Sequence, residues 1–318
     1  MIDRLISKEY RGFFAIIILL HHLCLNISFI NNSVIAPMLR SAGYLSVSVF
    51  FLLSGYGLYA QYLLNGKDYV SKMPQKRIFP FYIQNVVLIA VYSLFSIVLK
   101  DSVSIKSIMV SLLPGGGTVI KNGWYIQIIL LCYLIFWSIF ILDKIQKKIL
   151  FAGISISIYF LVCYFLDINQ FWYVSVFAWI LGMLLKKYEN FLTSITKENT
   201  LLCILVGCIL FCGTFFLGRT GAIQYVSPLF KAASANIFAS IVWFMMIKQK
   251  HILGKTWLEI AGEYSFEIYV VQGLAFMTFR NNRFYLSNEA VYCALVIVMV
   301  FVYAATMKRI FHVIHRKI

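Results

Sequence analysis

Charge is what this chain has least of. Lys, Arg, Asp and Glu together make up 13% of its 318 residues, about half the ~25% of an ordinary soluble domain. That scarcity runs along the whole length, which excludes a soluble domain carrying a single anchor. The seven cysteines, at 24, 132, 163, 203, 208, 212 and 293, all fall in apolar runs and none forms a CxxC pair. A disulfide framework and a metal cluster are therefore not expected, and the cysteines read as small apolar-core residues. There is no internal repeat and no low-complexity tract. Only residues 308–318 follow the last apolar run, so a single domain over 1–318 with no appended soluble domain is expected. The first run has basic residues before it but no A-x-A-like site after it, and reads as a retained signal-anchor.

What fills the chain instead is apolar and aromatic: 61% hydrophobic and 17% Phe, Trp and Tyr, with a mean hydropathy of +0.84. Measured against the ~20 residues that cross ~30 Å of hydrocarbon, the apolar runs predict about ten spans. They cover 12–30, 43–64, 79–99, 123–142, 149–166, 171–185, 199–217, 226–247, 265–279 and 289–307. The sixth and ninth are short, which leaves nine or eleven open, and the apolar pieces at 102–113 suit a surface helix. The expected fold is an all-α, polytopic transmembrane helical bundle.

The basic residues, 28 against 12 acidic ones, test this scheme. With the N-terminus inside, the cytoplasmic segments hold Arg4, Lys8, Arg11, Lys67, Lys72, Lys76, Arg77, Lys144, Lys147, Lys148, Lys186, Lys187, Lys197, Lys248, Lys250, Lys255, Lys308, Arg309, Arg316 and Lys317. The outside loops hold only Arg40, Lys100, Lys106, Lys121, Arg219, Arg280 and Arg283, and Lys231 falls within a span. This is the positive-inside bias, and it places both termini in the cytoplasm. The net charge of +16 is then a topology signal, and no nucleic-acid partner is expected.

Within the first run, 11-RGFFAIIILLHH-22 puts an arginine at one edge and two histidines inside. Eleven residues turn a helix through ~1100°, about 20° past three full turns, so Arg11 and His22 share a face while His21 lies ~80° away. The rise of ~16 Å brings His22 near the bilayer midplane. An ionisable residue there is costly and marks a functional site by default. The plainer alternative is a neutral histidine hydrogen-bonded to a neighbouring helix.

Other stretches also admit two readings. In 48-SVFFLLSGYGLY-59, Ser54-Gly55 permits close helix approach or local unwinding. The basic cluster in 72-KMPQKRIFPFY-82 serves topology or phosphate binding, with Pro80 in the first turn of a span. The three glycines of 114-PGGGTVIKNGWY-125 are not followed by Lys-Ser/Thr and form an outer loop, not a phosphate loop. Asn122, Trp124 and Tyr125 then sit at the outer interface, where an aromatic belt is the plain reading. In 262-GEYSFEIYVVQG-273, Glu267 lies near the boundary and Gln272 lies deeper, facing protein.

Taken in order, these motifs resemble the acyltransferase-3 family of integral-membrane acyltransferases. The likeness rests on Arg11-Gly12 with His22, on 50-FFLLSGY-56, 77-RIFPFY-82 and 124-WYIQIILLCYL-134, and on 265-SFEIYVVQ-272. It covers roughly residues 11 to 280. Four positions depart from the pattern. Ile129 and Leu130 stand where many members carry acidic residues, Pro74 where many carry another arginine, and Gln272 where the late histidine falls.

The resemblance implies an O-acyltransferase of the bacterial cytoplasmic membrane. Its donor would be an acyl-CoA, usually acetyl-CoA, as co-substrate. Its acceptor would be a carbohydrate or glycolipid hydroxyl, often of a cell-surface polysaccharide or its lipid-linked precursor. Coenzyme A is polyanionic and cytoplasmic, so Arg11, Lys76 and Arg77 are the expected donor contacts. A thioester needs little beyond a deprotonated alcohol, and an imidazole suits that general-base work; His22 is the expected base. No Ser-His-Asp or Cys-His set is visible, which favours direct transfer over an acyl-enzyme, with an acyl-histidine as the alternative. Asn122 and Trp124 are the expected acceptor contacts, from aromatic–sugar stacking. The competing reading is a proton-coupled secondary transporter or lipid-linked glycan flippase. Against it stand the missing inverted repeat and the few acidic residues within spans.

Overall fold

The computed structural model describes residues 2–115, 117–144, 146–196, 199–220, 224–248 and 256–317. Lys197, Lys250 and Lys255 lie outside the described residues. Every regular element described is helical, with one isolated antiparallel bridge between Arg280 and Tyr285. In chain order the first seven helices are α1 (Arg4–Asn26), α2 (Ser28–Asn31), α3 (Ala36–Met73), α4 (Phe79–Val98), α5 (Ile105–Ser111), α6 (Trp124–Phe140) and α7 (Lys148–Phe165). The remainder are α8 (Phe177–Lys187), α9 (Glu189–Thr196), α10 (Thr200–Thr220), α11 (Ser227–Lys248), α12 (Thr256–Glu263), α13 (Ser265–Phe279) and α14 (Glu289–Lys317).

Each of the ten apolar runs contains an apolar helix, and α5 occupies the expected surface segment. Among the described residues, five helical stretches are long and apolar enough to cross a membrane, judged by length and composition: Ala36–Val98, Lys148–Phe165, Leu201–Thr220, Ser227–Lys248 and Glu289–Ile314. The first is 63 residues long, ample for more than one crossing at ~20 residues each. Helices α6 and α13 are apolar but shorter. Helix α1 is long enough but gathers Glu9, Arg11, His21, His22 and Asn26, so it falls outside that group.

The junction between α3 and α4 differs from the expected fresh start at Pro80. The helix continues through a π-turn over Pro74–Ile78, in which the Phe79 N–H reaches back to the Pro74 carbonyl. Pro80 has no N–H to give to the carbonyl four residues earlier, and its ring crowds that group. A widened turn absorbs both problems, and such turns recur at functional sites. This one carries Lys76 and Arg77.

The chain divides into two compact units. One comprises Met1–Ser7, Tyr44–Lys72 and Ile135–Gly254; the other comprises Lys8–Gly43, Met73–Leu134 and Lys255–Ile318. In the first, α3 and α8 cross at paired glycines. A Cβ on Gly55 would meet the Trp179 carbonyl at 1.9 Å, and one on Gly182 would meet that of Leu52 at 2.1 Å. Of the two readings of Ser54-Gly55, the helix therefore takes close approach. In the second unit, α1 and α12 use the same device: Gly12 faces the Leu258 carbonyl at 2.2 Å and Gly262 faces that of Lys8 at 1.9 Å. Small residues let backbones touch where lipid offers no hydrophobic driving force between helices.

Candidate active site

All six residues expected to contact substrate or act on it, Arg11, His22, Lys76, Arg77, Asn122 and Trp124, belong to the second unit. Gly12 explains the arginine-glycine pair within α1: only a residue without a side chain allows α12 this close, and that contact holds the turn bearing Arg11. Arg11 is partly buried and lies within electrostatic range of Tyr125. Arg77, from the π-turn, lies in range of the same tyrosine. Its Nη2 donates to the Tyr133 hydroxyl at 3.3 Å, and its guanidinium sits 4.9 Å from the centre of that ring. Two arginines 66 positions apart in sequence thus converge on the tyrosines of α6. Lys76, by contrast, is exposed, with no hydrogen bond or ion pair to a described residue.

The two histidines separate by what they touch. His21 Nδ1 donates to the Leu39 carbonyl at 2.9 Å, and its ring fills the space that Gly43 leaves open, 2.5 Å from where a Cβ would sit. His21 is therefore a helix-packing residue joining α1 to α3. His22 is buried, 9% exposed. Its ring packs against that of His21 at 4.8 Å and makes no hydrogen bond to a described residue. A buried polar group is normally paired, so an unengaged imidazole has its proton chemistry available.

One turn beyond His22, the Asn26 side chain donates to the His22 carbonyl at 2.7 Å. Asn26 also lines a cleft of about 250 Å³ with Lys121, Asn122, Gly273, Phe276, Met277, Arg280 and Tyr292. Arg280 braces it, donating to the Asn26 carbonyl at 2.7 Å and lying 3.9 Å over the Tyr292 ring. Asn122 is held in a left-handed conformation, φ 64°, and its carbonyl accepts from the Tyr269 hydroxyl. Tyr269 in turn meets Tyr125 edge-on, ring centres 5.6 Å apart. Of the two expected acceptor residues only Asn122 lines this cleft; Trp124 is buried at the start of α6. Gln272 is fully buried, as expected of a residue facing protein, with its Nε2 donating to the Tyr269 carbonyl.

Sequence reasoning did not single out Asn26, Tyr133 or Arg280. Asn26 carried a signal, four residues after His22 on the same helix face. Tyr133 lies at the end of 124-WYIQIILLCYL-134, where nothing local gives it a task. Arg280 counted only as an outside charge.

Membrane-length helices, two arginines gathered on the tyrosines of α6 and a buried imidazole one turn from a cleft-lining asparagine make up the site. The chain belongs to the acyltransferase-3 family: that family's model, described as an acyltransferase domain, matches residues 10–307. It is accordingly a membrane acyltransferase. No curated protein and no solved structure matches the chain.

Proposed function

We propose that the protein is an O-acetyltransferase of the bacterial cytoplasmic membrane that takes acetyl from acetyl-CoA. The acceptor we propose is a hydroxyl of a cell-surface polysaccharide or of its lipid-linked precursor. The whole chain acts as one catalytic domain, with about ten spans and both termini cytoplasmic. That topology is supported by the lysine and arginine bias and by the apolar helix found in each of the ten runs.

The observation that carries the reading is the contrast within α1. His21 is engaged by Leu39, whereas His22 is buried, unengaged and one turn from a polar cleft. In the proposed reaction His22 takes the proton of the acceptor hydroxyl as its oxygen attacks the thioester carbonyl. The C–O bond forms, the C–S bond breaks, and the proton passes from the imidazolium to the departing thiolate. General-base help of this kind is worth ~10²–10⁴-fold. Arg11 and Arg77 are proposed to bind the phosphates of the donor, since guanidinium groups match phosphate oxygens in a two-pronged contact. Lys76 adds an exposed charge on the same turn. Asn122 and its buried neighbour Trp124 are proposed acceptor contacts, the first from within the cleft.

The test is transfer of labelled acetyl from acetyl-CoA by the purified protein, paired with mass spectrometry of surface glycans from cells with and without it. Labelled product in the first and a lost acetyl mass in the second are expected. No turnover of acetyl-CoA with any glycan extract would sink the reading.

A further inference from the structure

A cavity in the first unit has no part in the chemistry proposed above. It measures about 1080 Å³, at or beyond the upper end of the ~300–1,000 Å³ usual for small-ligand pockets. Its walls come from α3, the end of α6, and α7 and α8. One end is basic and aromatic, with Lys147, Lys148 and Lys187 among Tyr59, Tyr62 and Tyr188. The other end is apolar, running along Ile149, Leu150, Gly153, Ile154, Ile180 and Leu184.

The charges at the basic end are not equivalent. Lys148 donates to the Phe140 carbonyl at 2.8 Å and sits 5.3 Å from the centre of the Tyr62 ring, so it closes the C-terminal end of α6. Asp143, the one acidic residue in the lining, is bound by Lys67. Lys147 and Lys187 are exposed and make no ion pair with a described residue; the Lys187 ammonium lies 5.1 Å from the centre of the Tyr188 ring. A net positive, hydroxyl-rich mouth thus opens onto an apolar trough in which Leu150 and Ile154 are 55% and 46% exposed. Basic pockets between membrane helices are sites for anionic headgroups, and nearby lysines attract them individually.

We infer that this groove is a binding site for an anionic phospholipid, with the headgroup phosphate at Lys147 and Lys187 and an acyl chain along the α7–α8 trough. In the proposed topology the lipid belongs to the inner leaflet. A free phosphate ester matches the mouth but leaves the trough unused, and a zwitterionic lipid fills the trough but leaves the mouth uncompensated. Only the combination satisfies both ends. The inference is independent of the catalytic reading.

Native mass spectrometry of the full chain in detergent, titrated with phosphatidylglycerol or phosphatidylcholine of matched chains, tests it. Phosphatidylglycerol should be retained at least about fivefold better, the gain of roughly one lysine-to-lipid attraction. Lys147→Gln with Lys187→Gln should bring it down to the phosphatidylcholine level, while Lys106→Gln, in the other unit, leaves it unchanged. Gly153→Leu, which narrows the trough, should weaken both lipids alike. Equal retention of the two lipids by the wild-type chain would overturn the inference, as would undiminished phosphatidylglycerol in the double lysine variant. Displacement by equimolar glycerol phosphate would show a simple anion site, and displacement by acyl-CoA a donor site; either outcome rejects the lipid.

Discussion

The two units of this protein build their helix crossings alike and use their polar residues differently. Gly55 with Gly182 in the first unit, and Gly12 with Gly262 in the second, bring backbones into direct contact. In the first unit a buried carboxylate is closed in by its neighbours. The Glu189 carboxylate accepts from the Tyr56 hydroxyl and from Lys186, each at 2.5 Å, and the Ile2 N–H donates to the Tyr56 oxygen at 3.2 Å. In the second unit the imidazole of His22 makes no hydrogen bond to a described residue, and Arg11 and Arg77 share their tyrosine neighbourhood. The first is a closed network; the second leaves a buried imidazole with no hydrogen-bond partner among the described residues.

The sharpest break of this contrast is His22→Gln. It should reduce kcat by ~10²–10⁴-fold while the melting temperature in detergent stays within a few degrees. A retained kcat would place the base elsewhere.

Glu189→Gln is the counterpart in the first unit and should act on stability. Burial alone would raise the Glu189 carboxyl, but the hydrogen bonds from Lys186 and Tyr56 outweigh it and hold it below the usual carboxylate range. A depressed carboxyl contributes stability that is present above the unfolded value of ~4.3 and is lost as pH falls through the folded value. The variant should lose roughly 3 kcal/mol at pH 7, as expected for breaking a buried ion pair. That deficit should shrink below about pH 4. Melting curves from pH 7 to 3 measure it, and a deficit independent of pH would contradict the closed network.

Arg77→Gln should raise KM for acetyl-CoA about tenfold, the loss of one charge-assisted hydrogen bond, with a smaller effect on kcat. A change confined to the acceptor KM would move Arg77 out of the donor site. The smallest effect belongs to His21→Gln. It should cost about 1 kcal/mol of stability through the lost Leu39 hydrogen bond and leave kcat near wild type. Comparable kcat losses at 21 and 22 would erase the distinction between the two histidines.

The helices were largely legible because an apolar run of membrane length has few alternatives to a helix, and α4, α6, α7, α10, α11 and α13 fall close to their expected ranges. The π-turn at Pro74–Ile78 was not legible. A proline near the start of a run ordinarily marks a helix beginning, and nothing local says that the preceding helix continues. Among the site residues, the separation of His22 from His21 was readable from the 3.6-residue period alone. The convergence of Arg11 and Arg77 on Tyr125 was not, since no periodicity links residues on different helices.

By itself, then, the sequence determined that the chain is a helical membrane protein and which α1 residues share a face. These follow from solvation and helical period, both of which are local. The tertiary structure alone decided that His21 is spoken for by Leu39, that Gly12 exists to admit α12, and that Asn122 lines a cleft while Trp124 does not. Each depends on which backbone atom from a distant stretch arrives within a few ångströms, and only packing sets that.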